Sequence, residues 1–292
     1  MSSPRQRGFS LIELIVVLVV SAVVAVFMVF FLSTPLEAYF SQARRGDLID
    51  SGDRIVRALA PDVRSALPDS VRQSSGGGVW AIELLATASV ARYYGATDKN
   101  NLPMAQEAIE ELETAQADTD FYTLTQFLTA AGNALAVNSQ GLPGAYALTG
   151  IMTPSPPQFV ITPNAATAED AVTIGGGGYT FNSDSPTRSA FLVSGPVSYL
   201  CDTNAHTLER YSGYAIASAQ STSDAQLVGA GATRSLIAQN VAACNFTIIA
   251  RALPAIPTQP SSYGQLLISN ITLGSGGETL QVFYQVASRY VP

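Results

Sequence analysis

Histidine and lysine are nearly missing from this chain: His206 and Lys99 are the only residues of their kinds among 292. A serine or cysteine nucleophile would have to draw on His206, which sits in a polar turn near Asn204, and no Gly-x-Ser-x-Gly elbow occurs. Glu110 and Glu111 are neighbours that point apart on a helix, an arrangement suited to solvation and not to acid–base work. The chain is therefore expected not to be an enzyme. Cysteine is scarce as well: Cys201 and Cys244 form no Cys-x-x-Cys and, with one histidine, make no zinc set. Asp98-Lys-Asn-Asn and Asp118-Thr-Asp offer oxygen ligands but lack the glycine and the closing glutamate of a calcium loop. The Gly175–Gly178 run has no following Lys-Ser/Thr to hold a phosphate, so it reads as a turn before Tyr179. No metal and no cofactor are expected. Positive charge is in deficit, fifteen basic residues against twenty-two acidic ones for a net charge of −7, which leaves little to neutralise phosphates. No nucleic-acid partner is expected.

Charge is also absent from Leu11 to Leu32, with the exception of Glu13. A helix over this stretch spans roughly 33 Å at about 1.5 Å per residue, enough to cross a bilayer core of about 30 Å. The apolar core of a secretory signal peptide is shorter, about 7–15 residues. A carboxylate in such a helix costs about 2.5–3.5 kcal/mol at the bilayer centre and less toward the interface, so Glu13 requires a partner. An ordinary signal anchor accounts for the length but gives no reason for Gly8-Phe9-Ser10-Leu11-Ile12-Glu13. Flanking charge leaves the orientation open, because Arg5 and Arg7 before the helix are matched by Arg44 and Arg45 after it.

At these residues the chain resembles the type IV prepilin family, which comprises type IV pilins, their minor pilins and the pseudopilins of type II secretion. The resemblance implies that residues 1–8 are a leader removed by prepilin peptidase after Gly8, that Phe9 becomes the N-methylated N-terminus, and that Glu13 is the acid of the fifth mature position. It further implies an assembly contact between Glu13 and the cationic amine of a neighbouring subunit, a pair that is attractive in low dielectric where either charge alone is penalised. The partners so implied are minor and major pilins, met through the N-terminal helix, prepilin peptidase, an inner-membrane assembly platform and membrane lipid. The implied location is the inner membrane of a Gram-negative bacterium, with the C-terminal domain periplasmic, and then the pilus at the cell surface. One departure is Phe30, where many major pilins have a kinking proline; here the first proline of the helical region is Pro35.

A periplasmic location is one in which disulfides persist, so Cys201 and Cys244 are expected to pair, with two buried free thiols as the alternative. The later half narrows the resemblance. Phe191–Asp202, Thr207–Ile216, Leu236–Phe246 and the ending from Tyr284 are similar to minor pilins of the mannose-sensitive haemagglutinin (MSHA) type, as are Leu36–Tyr39 and Ala66–Arg72. The likeness is weak between about residues 99 and 187. A minor pseudopilin of type II secretion is the alternative, and a binding module at a fibre tip is another, its contacts drawn from Tyr and Phe of residues 118–135 and loops near Gly175.

The expected fold class is α+β, a long N-terminal helix packed against a C-terminal antiparallel β-sheet domain, type IV pilin-like. The helix is expected over residues 9–72, with 9–32 crossing the membrane and 33–72 amphipathic, and the β-rich domain over 73–292. Leu48, Ile55, Leu59, Val63 and Leu67 recur at spacings of seven and four, which puts them on one helix face. Pro61 is expected to bend that helix or start a new one, and Ser74–Gly78 to form a flexible break. The Glu-rich stretch 104–117 reads as a helix and residues 221–231 as a loop. Hairpins are expected at 191–217 and 266–286, the second placing Leu280, Val282, Tyr284 and Val286 on one face.

Overall fold

The computed structural model describes residues 10–95, 111–114, 116–128, 134–137, 146, 151–152, 159–164, 168–181, 184–185, 187–252 and 262–288. Its first element is one unbroken helix, α1, Leu11–Arg64. Among the described residues thirteen strands follow: β1 Arg72–Gly76, β2 Val79–Arg92, β3 Asp120–Tyr122, β4 Ala134–Val137, β5 Ile151–Met152, β6 Phe159–Asn164, β7 Glu169–Ile174, β8 Ser189–Asp202, β9 Thr207–Ser212, β10 Thr233–Gln239, β11 Val241–Ala252, β12 Ser262–Ser275 and β13 Glu278–Ala287. A short helix, α2, Asp224–Gly229, lies between β9 and β10.

The strands form three antiparallel sheets. The largest runs β1-β2-β8-β4-β5 and branches at β8, whose Ala190–Val193 half pairs β4 while its Val197–Asp202 half pairs β9; β10 then adds to β9. The second is the meander β11-β12-β13, and the third is β3-β7-β6. α1 rests on the first two, against β13, β10, β12 and β2. The fold is thus α+β, an N-terminal helix packed on antiparallel sheets.

The predicted helix face is the one that docks. Leu48, Ile55, Leu59 and Val63 are buried with Ile82, Leu84 and Val197 of the large sheet and Phe246, Leu267 and Ile271 of the meander. Burying a large aliphatic side chain is worth about 1.5–3 kcal/mol, so each of these four positions adds to the adhesion between helix and sheets. Gly52 stands on the same face; a Cβ there would lie 3.0 Å from Val282 Cγ2 and 3.3 Å from Leu280 Cδ2, so the missing side chain lets the helix approach β13 closely. Leu280, Val282 and Tyr284 pack against this core, and Val286 is part of it.

Four local expectations require correction. The helix ends at Arg64, not at 72, where the Ser65 N–H turns back to the Pro61 and Val63 carbonyls. Pro61 does not start a new helix: α1 runs through that position into its last turn. Ser74–Gly78 is no flexible break, because Ser74, Ser75 and Gly76 pair with Ala81, Trp80 and Val79. Gly77 and Gly78, at φ 60° and 85°, make the two-residue turn that closes this hairpin, a conformation glycine adopts without strain. Residues 221–231 contain α2, begun by Ser223, whose side chain accepts from the Gln226 N–H, with Asp224 in the first turn. Most of the predicted 104–117 helix lies outside the described residues, and those described from Glu111 onward are not helical.

Candidate assembly segment and its docking

The segment singled out by composition stands clear of the rest of the protein. Leu11–Val29 is apolar enough to cross a membrane and none of it is buried against the domain. Ser10 caps it: its backbone is extended and its hydroxyl accepts from the Glu13 N–H at 3.3 Å. Ser10-x-x-Glu13 is the spacing of a capping box, a signal readable in the sequence beside the processing motif. Glu13 therefore lies in the first turn, where the helix dipole favours an anion, amid exposed apolar neighbours including Ile12, Leu14 and Ile15. Gly8 and Phe9 lie outside the described residues.

At its other end the helix is clamped to both main sheets. Asp62, in the last turn, accepts from Arg210 of β9 at 2.6 Å (Nε) and 3.3 Å (Nη2), and the Tyr199 hydroxyl of β8 lies 2.6 Å from the same carboxylate and 2.8 Å from the Ala58 carbonyl. Burial and the Asp62 charge hold the Tyr199 hydroxyl far above the usual tyrosine range, so it stays a donor at every physiological pH. On the meander, Arg45 grips Glu278 with two hydrogen bonds, 2.9 and 3.2 Å, and Arg64 donates to the Tyr284 hydroxyl at 3.1 Å. Arg45 and Arg64 thus anchor the helix, while other charged residues of α1 form solvated pairs such as Arg57–Asp53.

A buried ion pair was not legible in the sequence. Glu83 of β2 is 1% exposed and meets Arg72 of β1 at 2.7 Å, while Arg72 also donates to the Ser218 and Ala217 carbonyls and lies 3.5 Å over the Tyr146 ring. The Tyr214 hydroxyl reaches Glu83 at 3.3 Å and Ser198 Oγ at 2.7 Å, and the Tyr146 hydroxyl donates to the Ser70 carbonyl. Burial pushes the Glu83 carboxyl above the usual carboxylate range even though Arg72 pulls it down. Every element in this knot is structural: it fastens the first hairpin to the 213–218 segment and to Tyr146.

Cys201 of β8 and Cys244 of β11 are joined in a disulfide with Cα atoms 6.4 Å apart, which ties the large sheet to the meander beneath α1. His206 has φ 57° and its Nδ1 lies 2.9 Å from the Val241 carbonyl, so its position is that of a turn residue. Asp118 is buried and its carboxylate accepts from the Glu113 and Asp120 N–H groups, so it organises its own loop. Asp98-Lys-Asn-Asn lies outside the described residues, and among the described residues no group of three or more His, Cys, Asp or Glu is placed to hold a metal. The aromatics offered as a binding surface are largely core: Phe121 and Phe127 are buried with Tyr93, Phe159 and Phe181, and Tyr179 packs against them.

Residues 3–29 match the prokaryotic N-terminal methylation motif. With an apolar helix that no described part of the domain covers and that continues into a sheet-docked one, this match, confined to the N-terminal segment, supports a type IV prepilin-like chain of the general pilin and pseudopilin kind. The motif implies processing by prepilin peptidase, assembly with other pilins and membrane anchoring, and the proteins built on it are structural subunits. No curated protein and no solved structure matches the chain.

Proposed function

We propose that the chain is a minor type IV pilin of the MSHA type, a non-enzymatic subunit that helps start or shape a pilus. The observation that carries the subunit role is α1 itself: one end is clamped to two sheets, while the other, bearing Glu13, is covered by no described part of its own domain. Such a face is stable only in lipid or against similar helices. In this reading prepilin peptidase cuts after Gly8 and Phe9 is methylated. Glu13 then pairs with the amine of a neighbouring subunit as the helix leaves the inner membrane for the fibre, while the domain lies in the periplasm. The MSHA assignment rests on the likeness of Phe191–Asp202, Leu236–Phe246 and the C-terminal strand.

Mass spectrometry of the protein extracted from membranes tests the processing, with N-methyl-Phe9 expected as the first residue; an intact Met1 in cells with active prepilin peptidase rejects it. Gene neighbourhood tests the finer assignment. A major pilin of the MSHA type alongside supports it, and a secretin with secretion-specific subunits moves the reading to a type II secretion pseudopilus.

A further inference from the structure

The unpaired edge of β10 borders a groove that no part of the processing motif uses. Among the described residues β10 pairs with β9 alone, although its residues Thr233–Leu236 are all exposed. A groove of about 410 Å³ runs between it and α1, lined by Leu236, Ile237, Ala238, Gln239 and Asn240 on one side and by Asp47, Asp50, Ser51 and Arg54 on the other. The last four residues of β10 and Asn240, the residue after it, line one wall, with Ile237 the extra residue of a bulge against β9. β10 is the last strand of its branch, so its outer edge carries main-chain N–H and C=O groups that no other described strand takes.

The opposite wall indicates what that strand carries. Asp47 and Asp50 are exposed and, among the described residues, take part in no ion pair, while Arg54 is turned onto Ser51 Oγ at 2.8 Å. Residues three apart on a helix lie about 5–6 Å from each other, and alternate side chains of a strand lie about 6.6 Å apart on one face. Two cationic residues at positions i and i+2 of an added strand thus match the two carboxylates. We infer that the β10 edge is a strand-acceptor site for an extended segment of Arg-x-Arg or Lys-x-Lys pattern from another protein subunit, held by main-chain pairing to β10 and by charge to Asp47 and Asp50. Main-chain pairing gives such a site its affinity and the side-chain spacing its selectivity. The site is independent of α1's apolar half, so it operates whether or not the minor-pilin reading holds.

The test uses the full chain in uncharged detergent micelles and two fluorescent peptides, acetyl-Thr-Arg-Val-Arg-Val-Thr-amide and its counterpart with both arginines replaced by glutamate. The arginine peptide is expected to bind saturably and to slow amide exchange at residues 236–239, the glutamate peptide to bind at least about tenfold more weakly, and Asp47→Lys with Asp50→Lys to lower the affinity for the arginine peptide by at least about tenfold. Absence of binding overturns the proposal. So does equal binding to the double variant, or binding that leaves exchange at β10 unchanged, since these would mark adhesion to the acidic surface at large.

Discussion

Asp62 in the last turn of α1 and Arg210 in β9 stand 148 residues apart in sequence and 2.6 Å apart in space, with the Tyr199 hydroxyl on the same carboxylate. Their side chains are 18% and 28% exposed, so the pair is shielded from most screening by solvent and salt. Replacing Asp62 by Ala strips both Arg210 and Tyr199 of an acceptor, and we expect a loss of about 2–3 kcal/mol. Denaturant unfolding of the detergent-solubilised chain, run as a cycle with Arg210→Ala, checks this; additive single-variant losses would show that the two do not act together.

Glu83 presents the sharper case because it is almost wholly buried. Glu83→Ala leaves the Arg72 guanidinium with carbonyls and a ring but no counter-charge, at a cost of about 3–5 kcal/mol. The joint replacement Arg72→Met with Glu83→Leu removes both charges and is expected to cost less than Glu83→Ala alone. Comparing the unfolding midpoints of the two variants decides it.

A third expectation concerns pH. The hydrogen bonds and charge of Arg45 hold the Glu278 carboxyl below its usual range. A depressed folded value means that this contact adds stability above the unfolded glutamate pKa, about 4.3, and loses it as pH falls through the folded value. Amide exchange in the β12–β13 turn should therefore speed up, beyond its intrinsic pH dependence, as pH drops below about 4.3. Glu278→Gln should remove that extra rise, and high salt should blunt it, since Arg45 is well exposed.

For Glu13, insertion and assembly are expected to separate. Glu13→Ala makes the apolar helix less polar, so membrane insertion and cleavage after Gly8 should persist. Crosslinking to other pilins and surface pilus yield should fall for Glu13→Ala and for Glu13→Gln alike. Parental levels of both in the two variants would show that the acid is no assembly contact.

What the sequence made legible was what depends on spacing within one element. Leu48, Ile55, Leu59 and Val63 could be placed on one face because a helix repeats every few residues, and the last hairpin followed from alternation around Gly276 and Gly277. Pairings across the fold were hidden for the opposite reason. Nothing local marks Arg72 and Glu83 as partners until β1 folds back on β2, and Ser74–Gly76 looked like a break because polar, glycine-rich composition conceals a strand that draws its hydrogen bonds from a neighbour. Asp62 and Arg64 carry no mark of their own in the helix sequence, and only the packed sheets reveal that they meet Arg210 and Tyr284. Ser10 is the reverse case, since the Ser10-x-x-Glu13 capping spacing is local and stands in the sequence inside the processing motif.

The Cys201–Cys244 bridge acquires a mechanical meaning once α1 is regarded as a handle. Force applied along the helix enters both sheets, through polar contacts such as Asp62 with Arg210 of β9 and Arg45 with Glu278 of β13 as well as through the buried apolar face. Unequal loading of the two would shear one sheet over the other across an interface of side-chain contacts. The covalent link from β8 to β11 crosses that interface directly beneath the handle, so both sheets must move as one body, and a pull transmitted down the helix meets a bond where it would otherwise meet a slip plane.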